Sequence, residues 1–538
     1  MYDYCMRRFF NIAGPCIPGK HYRVDPMRGL DNDIMDLING EQYFLIHAAR
    51  QSGKTTLLQE LTRRLNSSEE YYALYCSLEA IEEFSDPDKG IPAIVKAVKS
   101  ALDDYGMPRG FADNADYSDI AGVLRSSFVA YCRMLDKPLV VLFDEADCLS
   151  NGTLVTFLRQ LRNGYVTRPN VPFIHSLALV GMRNLRDYKA QVRPDSETLG
   201  TASPFNIVTK YINLRNFTKD EVSELYSQHT SETGQIFEPE AADFIFEQTQ
   251  GQPWLVNAIA REAVEEITRK VSSQAITQNI AEQAIQDIIL TRGTHFDSLM
   301  RKLKTPRIRR IIEPLILGED VADRISDDYL YARDLGLIRE VGGNSAGGKI
   351  AGGRTEAANP IYAEIIIRAL NQGVEDSIAN TYREYAPPRY IQGGKLDMDY
   401  LIKDFQTYWR ENSEIWKNRY QTELYEYDEA AGHLVIQAFF QRVINSGGKI
   451  AREMALGTKR ADLCVLYEGC KYPVELKILQ SMRSLADSLE QISEYMDKCG
   501  SSQGWLVIFD RDTEKSWDDK IYMNTENVNG KRIVVAGC

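Results

Sequence analysis

The sequence predicts a multidomain α/β protein, and three observations carry that expectation. Five short apolar runs, at 43–47, 72–76, 139–143, 173–180 and 211–214, are mostly separated by helical patterns. Predominantly apolar runs of that length suit strands buried on both faces, and helices between them make the sheet parallel. Residues 218–290 then hold helical periodicity alone, and the chain returns to mixed strands and helices in its last stretch. At 538 residues the chain also exceeds what one core supports, since cores stop growing at ~250–300 residues.

Composition narrows the class. Hydrophobic content of 44% with 26% charged residues is that of a globular chain, so disorder over most of its length is excluded. The net charge of −13 argues against a basic coat for unspecific nucleic-acid binding. A local basic stretch exists at 301–310. Nine cysteines without a CxxC pair suggest neither a zinc site nor a disulfide framework. The sequence has no signal-peptide pattern and no run of ~18 apolar residues, so we expect a cytoplasmic protein with no membrane partner.

Shifts in pattern set the expected boundaries. Residues 1–217 are a core with a docked lead-in, and 218–290 a small helical lid. Residues 291–371 show helix, helix and a hairpin with a Gly-rich tip at 342–353, the order of a winged helix. Gly373, Pro387-Pro388 and Gly393-Gly394 mark a linker, so 372–420 is read as linker and helical connector. Residues 421–538 form the second α/β unit.

The run Ala48-Ala49-Arg50-Gln51-Ser52-Gly53-Lys54-Thr55-Thr56 follows an apolar strand and opens a helix. That is the setting of a phosphate-binding P-loop, in which backbone N–H groups and a helix N-terminus face phosphate oxygens. Lys54 would reach the β- and γ-phosphates of ATP, and the Thr55 hydroxyl would hold Mg²⁺. The run 139–143 ends in Asp144-Glu145. Asp144 would stand near the metal, and Glu145 would orient or activate the attacking water.

This pairing resembles P-loop ATPases of the AAA+ and STAND type, and residues 10–370 look like bacterial AAA-like ATPases with a lid and a winged helix. The resemblance implies a polar γ-phosphate sensor after a strand, here Arg183, with Asn184 as the alternative. It also implies that the Gly251-Gln252-Pro253-Trp254 turn brings Pro253 to the nucleotide; a plain helix–helix turn is the competing reading. Arg261 could reach phosphate or stand as a surface arginine. Relatives of this type complete catalysis between subunits, which implies a homo-oligomer.

The expected second winged-helix segment, 327–338, offers three aspartates, Asp327, Asp328 and Asp334, and only Arg333. A DNA reader places Arg, Lys, Asn or Gln on that face, so an interdomain or oligomer contact is the better expectation. The Tyr and Trp residues of 399–427 are expected to pack rather than to stack bases.

In the last segment, 460–466 and 473–477 read as strands of a hairpin. Residues i and i+2 share a face, so Glu475 and Lys477 point the same way, and the hairpin brings Asp462 beside them. Carboxylates bind a hard cation, and a lysine stabilises developing charge on a phosphodiester. These residues resemble the PD-(D/E)xK nucleases of the RecB-like branch, with Ala461 in place of the named proline. The resemblance implies a restriction-endonuclease-like α/β fold. It also implies metal ligands Glu429, Asp462 and Glu475 with catalytic Lys477, and a QxxxY pair, Gln491 and Tyr495, at the site. The expectation is an ATP-regulated, Mg²⁺-dependent DNA nuclease acting in defence against foreign DNA. The alternative is a signalling or scaffold ATPase whose last domain binds without cutting.

Overall fold

The computed structural model describes residues 8–181, 207–291, 301–303, 305–316, 326–341, 344–346, 349–351, 354–366, 390–392, 395–420, 435–436, 439–440, 448–452, 463–467, 469–479, 484–510 and 514–538, with single positions between some of them. The chain divides into two compact units: Met1–Phe296 with Ala322–Tyr362, and Asp297–Val321 with Ala363–Cys538.

The first unit is built on five strands: β1 (Tyr43–His47), β2 (Tyr72–Ser77), β3 (Leu139–Asp144), β4 (Ser176–Gly181) and β5 (Val208–Asn213). They pair in parallel in the order β2-β3-β4-β1-β5. Strand alternation sends Tyr43, Leu45, Val141 and Phe143 into one apolar layer, beneath the helices Pro87–Asp104, Val123–Met134 and Asn151–Thr167. It sends Phe44, Ile46, Val140 and Leu142 into the other, beneath Asp31–Asn39 and Lys54–Ser67. β4 stands between β1 and β3, so the loops after β1 and β3 leave the same sheet edge on either side of it. In open α/β sheets that carboxyl edge is where ligands bind.

The lid follows as Lys219–Thr233, Pro239–Thr249, Pro253–Arg261 and Gln278–Thr291, with a π-helical turn at Glu262–Ile267. Thr218 and Glu221 form a capping box at its start, and Gly234 ends the first helix in the left-handed conformation. The helix Asp327–Asp334 then leads into β6 (Ile338–Val341), β7 (Asn344–Ala346), β8 (Lys349–Ala351) and β9 (Arg354–Ala357). β6 pairs with β9 and β7 with β8, both antiparallel, and Tyr329 ties the helix to the hairpin through Glu340 and Thr355. Residues 306–310 of the basic stretch lie in the helix Pro306–Ile316, which belongs to the second unit. The three parts expected within 291–371 are therefore divided between the two units.

The second unit carries a small pair, β10 (Ile391–Gln392) with β11 (Lys395–Leu396), and a six-stranded mixed sheet. The strands of that sheet are β12 (Gly448–Arg452), β13 (Leu463–Tyr467), β14 (Cys470–Ile478), β15 (Gln503–Phe509), β16 (Tyr522–Val528) and β17 (Lys531–Gly537). Their order is β12-β13-β14-β15-β17-β16, with β14, β15 and β17 parallel and the other pairs antiparallel. Met398–Tyr420 packs Phe405 and Tyr408 onto one sheet face, so these aromatic residues serve the core. Leu485–Cys499 packs Ile492 and Met496 onto the other. Three strands, β15, β16 and β17, follow that helix.

Candidate functional site

Residues 48–53 connect β1 to the helix Lys54–Ser67. Gln51 and Gly53 adopt positive φ (58° and 92°), which curls the loop. Ser52 Oγ donates to Ala49 O (2.7 Å) and closes it. The helix has no side-chain cap at its N-terminus, so its first N–H groups face the loop's hollow. Lys54 is buried and lies across the loop, donating to Ala48 O (3.0 Å) and Ala49 O (3.3 Å). Burial lowers its ammonium pKa, against the opposing pull of Glu145 and Asp144.

Thr55 Oγ1 donates to Asp144 Oδ2 (2.7 Å), joining the loop to the end of β3. Asp144 is 1% exposed and also accepts from Tyr75 Oη (3.2 Å) and from Glu145 N (3.0 Å). Glu145 sits at φ 53°, a left-handed conformation that costs ~1–3 kcal/mol for a non-glycine residue. Burial raises its carboxyl pKa despite Lys54 nearby, and Asp144 adds to the rise. Thr56 Oγ1 accepts from Cys16 N (3.0 Å), which docks the lead-in on the helix. Arg50 is exposed at the loop's tip.

The lid turn reaches the same loop. Gly251 has φ 68°, Gln252 caps the next helix by accepting from Leu255 N, and Pro253 takes its first position. Gln252 Nε2 lies 3.5 Å from Gln51 O, and Trp254 Nε1 donates to Ile12 O (2.9 Å). Arg261 pairs with Glu265 (2.9 Å). Arg183 and Asn184 lie outside the described residues, just beyond the end of β4. A cleft of ≈ 640 Å³ runs along His47, Ala49, Ser52, Asp147, Arg333 and Arg339. It touches the loop but neither Lys54 nor Asp144, so it flanks the phosphate site.

One residue at this site had no sequence signal. Arg28 is 7% exposed, and its guanidinium donates to Ser52 O (2.7 Å) and to Arg215 O.

In the second unit, Glu475 on β14 is fully buried. Its Oε1 accepts from Lys477 Nζ (2.7 Å) and from Gln491 Nε2 (2.5 Å) of the following helix. Tyr495, one turn beyond Gln491, is buried, and its hydroxyl pKa is pushed up by burial first, with Glu475 among the smaller causes. The expected Glu475, Lys477, Gln491 and Tyr495 thus share one locality. Glu429 and Asp462 lie outside the described residues. Among the described residues no three His, Cys, Asp or Glu side chains group to hold a metal ion.

A family model described as "AAA-like domain" matches residues 31–340, more than half of the chain. No curated protein matches it. Among solved structures, the chain is similar to the Walker-type ATPase PABY2304 of Pyrococcus abyssi at 14% identity and TM-score 0.45, covering 66% of this chain and 99% of that one. It is similar to the Aeropyrum pernix ORC1 protein, solved in complex with DNA, at 13% identity and TM-score 0.35, covering 66% and 94%. It is also similar to the Thermotoga maritima RuvB Holliday junction branch migration motor at 16% identity and TM-score 0.33, covering 59% and 89%. No described helix is long and apolar enough to cross a membrane.

Proposed function

The chain belongs to the AAA-like domain family and is a P-loop ATPase, and we propose that its ATP cycle governs a Mg²⁺-dependent DNA nuclease site in the second unit. In this reading Ala49, Arg50, Gln51, Ser52 and Gly53 wrap the phosphates, and Lys54 leaves the carbonyls of Ala48 and Ala49 to reach them. Thr55 and Asp144 are oxygen donors already within 2.7 Å of each other, a hard set that suits Mg²⁺. The ion, when bound with ATP, would neutralise charge on the β- and γ-phosphates. Glu145 orients the attacking water and accepts its proton, and burial keeps its basicity above that of an ordinary carboxylate. Thr56 seats the lead-in, Pro253 brings the lid to the nucleotide, and Arg183 senses the γ-phosphate. A homo-oligomer would supply the remaining arginine.

One observation carries the nuclease half. Glu475 is a carboxylate with no exposure, held by Lys477 two residues along its strand and by Gln491 on the next helix. Desolvating a carboxylate costs several kcal/mol, so such a buried group with dedicated donors points to a site rather than to packing. Glu475 would share a metal with Asp462 and Glu429, Lys477 would stabilise charge on the scissile phosphate, and Gln491 and Tyr495 would orient the set. Foreign DNA is the substrate we infer. A second reading is a signalling or scaffold ATPase that binds without cutting. The direct Lys477–Glu475 pair favours it, because the carboxylate is balanced without a metal.

The test is cleavage of plasmid and single-stranded DNA by the full chain with Mg²⁺, with and without ATP. Cleavage lost in Lys477→Ala, and altered by ATP only when Lys54 is present, supports the gated nuclease. ATP turnover without cleavage under any nucleotide supports the scaffold.

A further inference from the structure

Arg28 takes no part in the ATP-site reading above, yet it is buried and its guanidinium holds two backbone carbonyls. It lies 24 residues before Ser52 and 187 before Arg215, and it donates to the backbone carbonyl of each. Arg215 returns the contact by donating to Arg28 O (3.2 Å), while Glu221 holds the Arg215 guanidinium at 2.6 and 2.7 Å. The Arg28 guanidinium also lies over the Phe217 ring, 4.8 Å from its centroid. Phe217 N in turn donates to Gly251 O (2.9 Å), at the root of the lid.

The Ser52 carbonyl is informative because a peptide is planar and trans. Its C=O and the N–H of the next residue point in opposite directions. With Ser52 O turned to Arg28, the N–H of Gly53 is turned away from Arg28, toward the hollow where the helix opens. Gly53 is also the residue for which a flip of that peptide costs least, since glycine takes positive and negative φ about equally. Its own conformation, φ 92°, makes the point concrete. A Cβ there would lie 2.7 Å from Arg28 Nη2, so the missing side chain also lets the guanidinium approach.

We propose that Arg28 is a positioning residue of the phosphate-binding loop: it fixes the Ser52–Gly53 peptide with its N–H toward phosphate, and through Phe217 ties the loop to the lid. This rests on the ATP-site reading above. It makes Arg28 act on phosphate recognition and not on the base. Full-length Arg28→Ala and Arg28→Lys are titrated with ATP, ADP and adenosine, beside wild type and Lys54→Ala. In Arg28→Ala, ATP and ADP should weaken about tenfold or more, equivalent to about 1.4 kcal/mol, with adenosine changed by less than about threefold. Arg28→Lys should fall between, because one ammonium does not span two carbonyls as a fork does. If Arg28→Ala fails to fold, Arg28→Lys decides by the same criterion. Parallel loss of adenosine and ATP, or wild-type ATP affinity in both variants, overturns the proposal. A wild type that binds ATP no better than Lys54→Ala overturns the loop reading beneath it.

Discussion

Gly251→Ala should separate strain from collision, because the lid supplies its own control. Gly251 and Gly234 both hold left-handed backbone, at φ 68° and 78°. A Cβ at Gly234 would meet nothing within 4 Å, whereas one at Gly251 would lie 2.0 Å from Phe217 O. Forcing alanine into this conformation costs ~1–2 kcal/mol, and its stiffer unfolded chain returns ~0.4–1 kcal/mol. Gly234→Ala should therefore lose about 0.5–1 kcal/mol. At Gly251 the backbone must retreat by an ångström or so, which breaks the Phe217 N to Gly251 O bond (2.9 Å). That bond is worth ~0.5–1.5 kcal/mol, and the displaced Phe217 ring adds to the loss. The total for Gly251→Ala is about 2–3 kcal/mol, or roughly 4–12 °C in Tm at ~2–4 °C per kcal/mol. Melting of the nucleotide-free chain by differential scanning fluorimetry reads both variants. If the two melt together, the turn is not locked against Phe217 and the reasoning fails.

Thr55→Ala removes the donor to Asp144 Oδ2, and should lower Mg²⁺-dependent ATP turnover by ~10²–10³ in kcat while leaving metal-free nucleotide binding within a few-fold; equal losses in both would contradict the metal role. The Glu145 carboxyl is raised by burial, so its base form is lost as pH falls through a value above the ordinary ~4.3. The acid limb of kcat should lie above that value and vanish in Glu145→Gln, and a limb at or below it would place the base elsewhere. Glu475→Gln keeps the shape but takes the countercharge from Lys477, whose side chain is 26% exposed. Breaking a buried pair costs ~3–5 kcal/mol, and the exposure of Lys477 brings the expected loss to about 1–3 kcal/mol. Melting and DNA cleavage should both fall; unchanged melting would show that the pair holds nothing together.

What the sequence disclosed follows the range of the interaction that writes it. β1 is readable to the residue because both of its faces are buried, so Tyr43, Phe44, Leu45 and Ile46 run without a polar break up to His47. β5 was read three residues late: it is the sheet's edge, with Thr209, Lys210 and Tyr211 exposed, and hydropathy fades where one side meets water. β16 carries no hydropathy signal for the same reason, since Asn524, Thr525, Glu526 and Asn527 are exposed on an edge strand. The signal it does leave is Asn529-Gly530, whose φ values of 52° and 78° make the tight turn into β17. Lys54 and Thr55 were legible because a phosphate loop is contiguous, and Glu475 with Lys477 because a strand repeats every two residues. Arg28 was not, because carbonyls accept its bonds and every residue has one.

That same illegibility bears on how ATP could act at a distance. Ser52 O meets Arg28, Arg28 meets Phe217, Phe217 meets Gly251, and the neighbouring Gln252 comes back to Gln51 O. The path leaves the loop at one residue and returns at the one before it. A ligand shifts a conformational equilibrium only by its differential affinity for the two states. A loop whose N–H groups are set only while the lid is docked has that difference built in. Gly251→Ala should then weaken ATP binding as well as stability, whereas Gly234→Ala, off the path, should lower stability alone. If both variants bind ATP like wild type once folded, the lid and the loop are neighbours without being coupled.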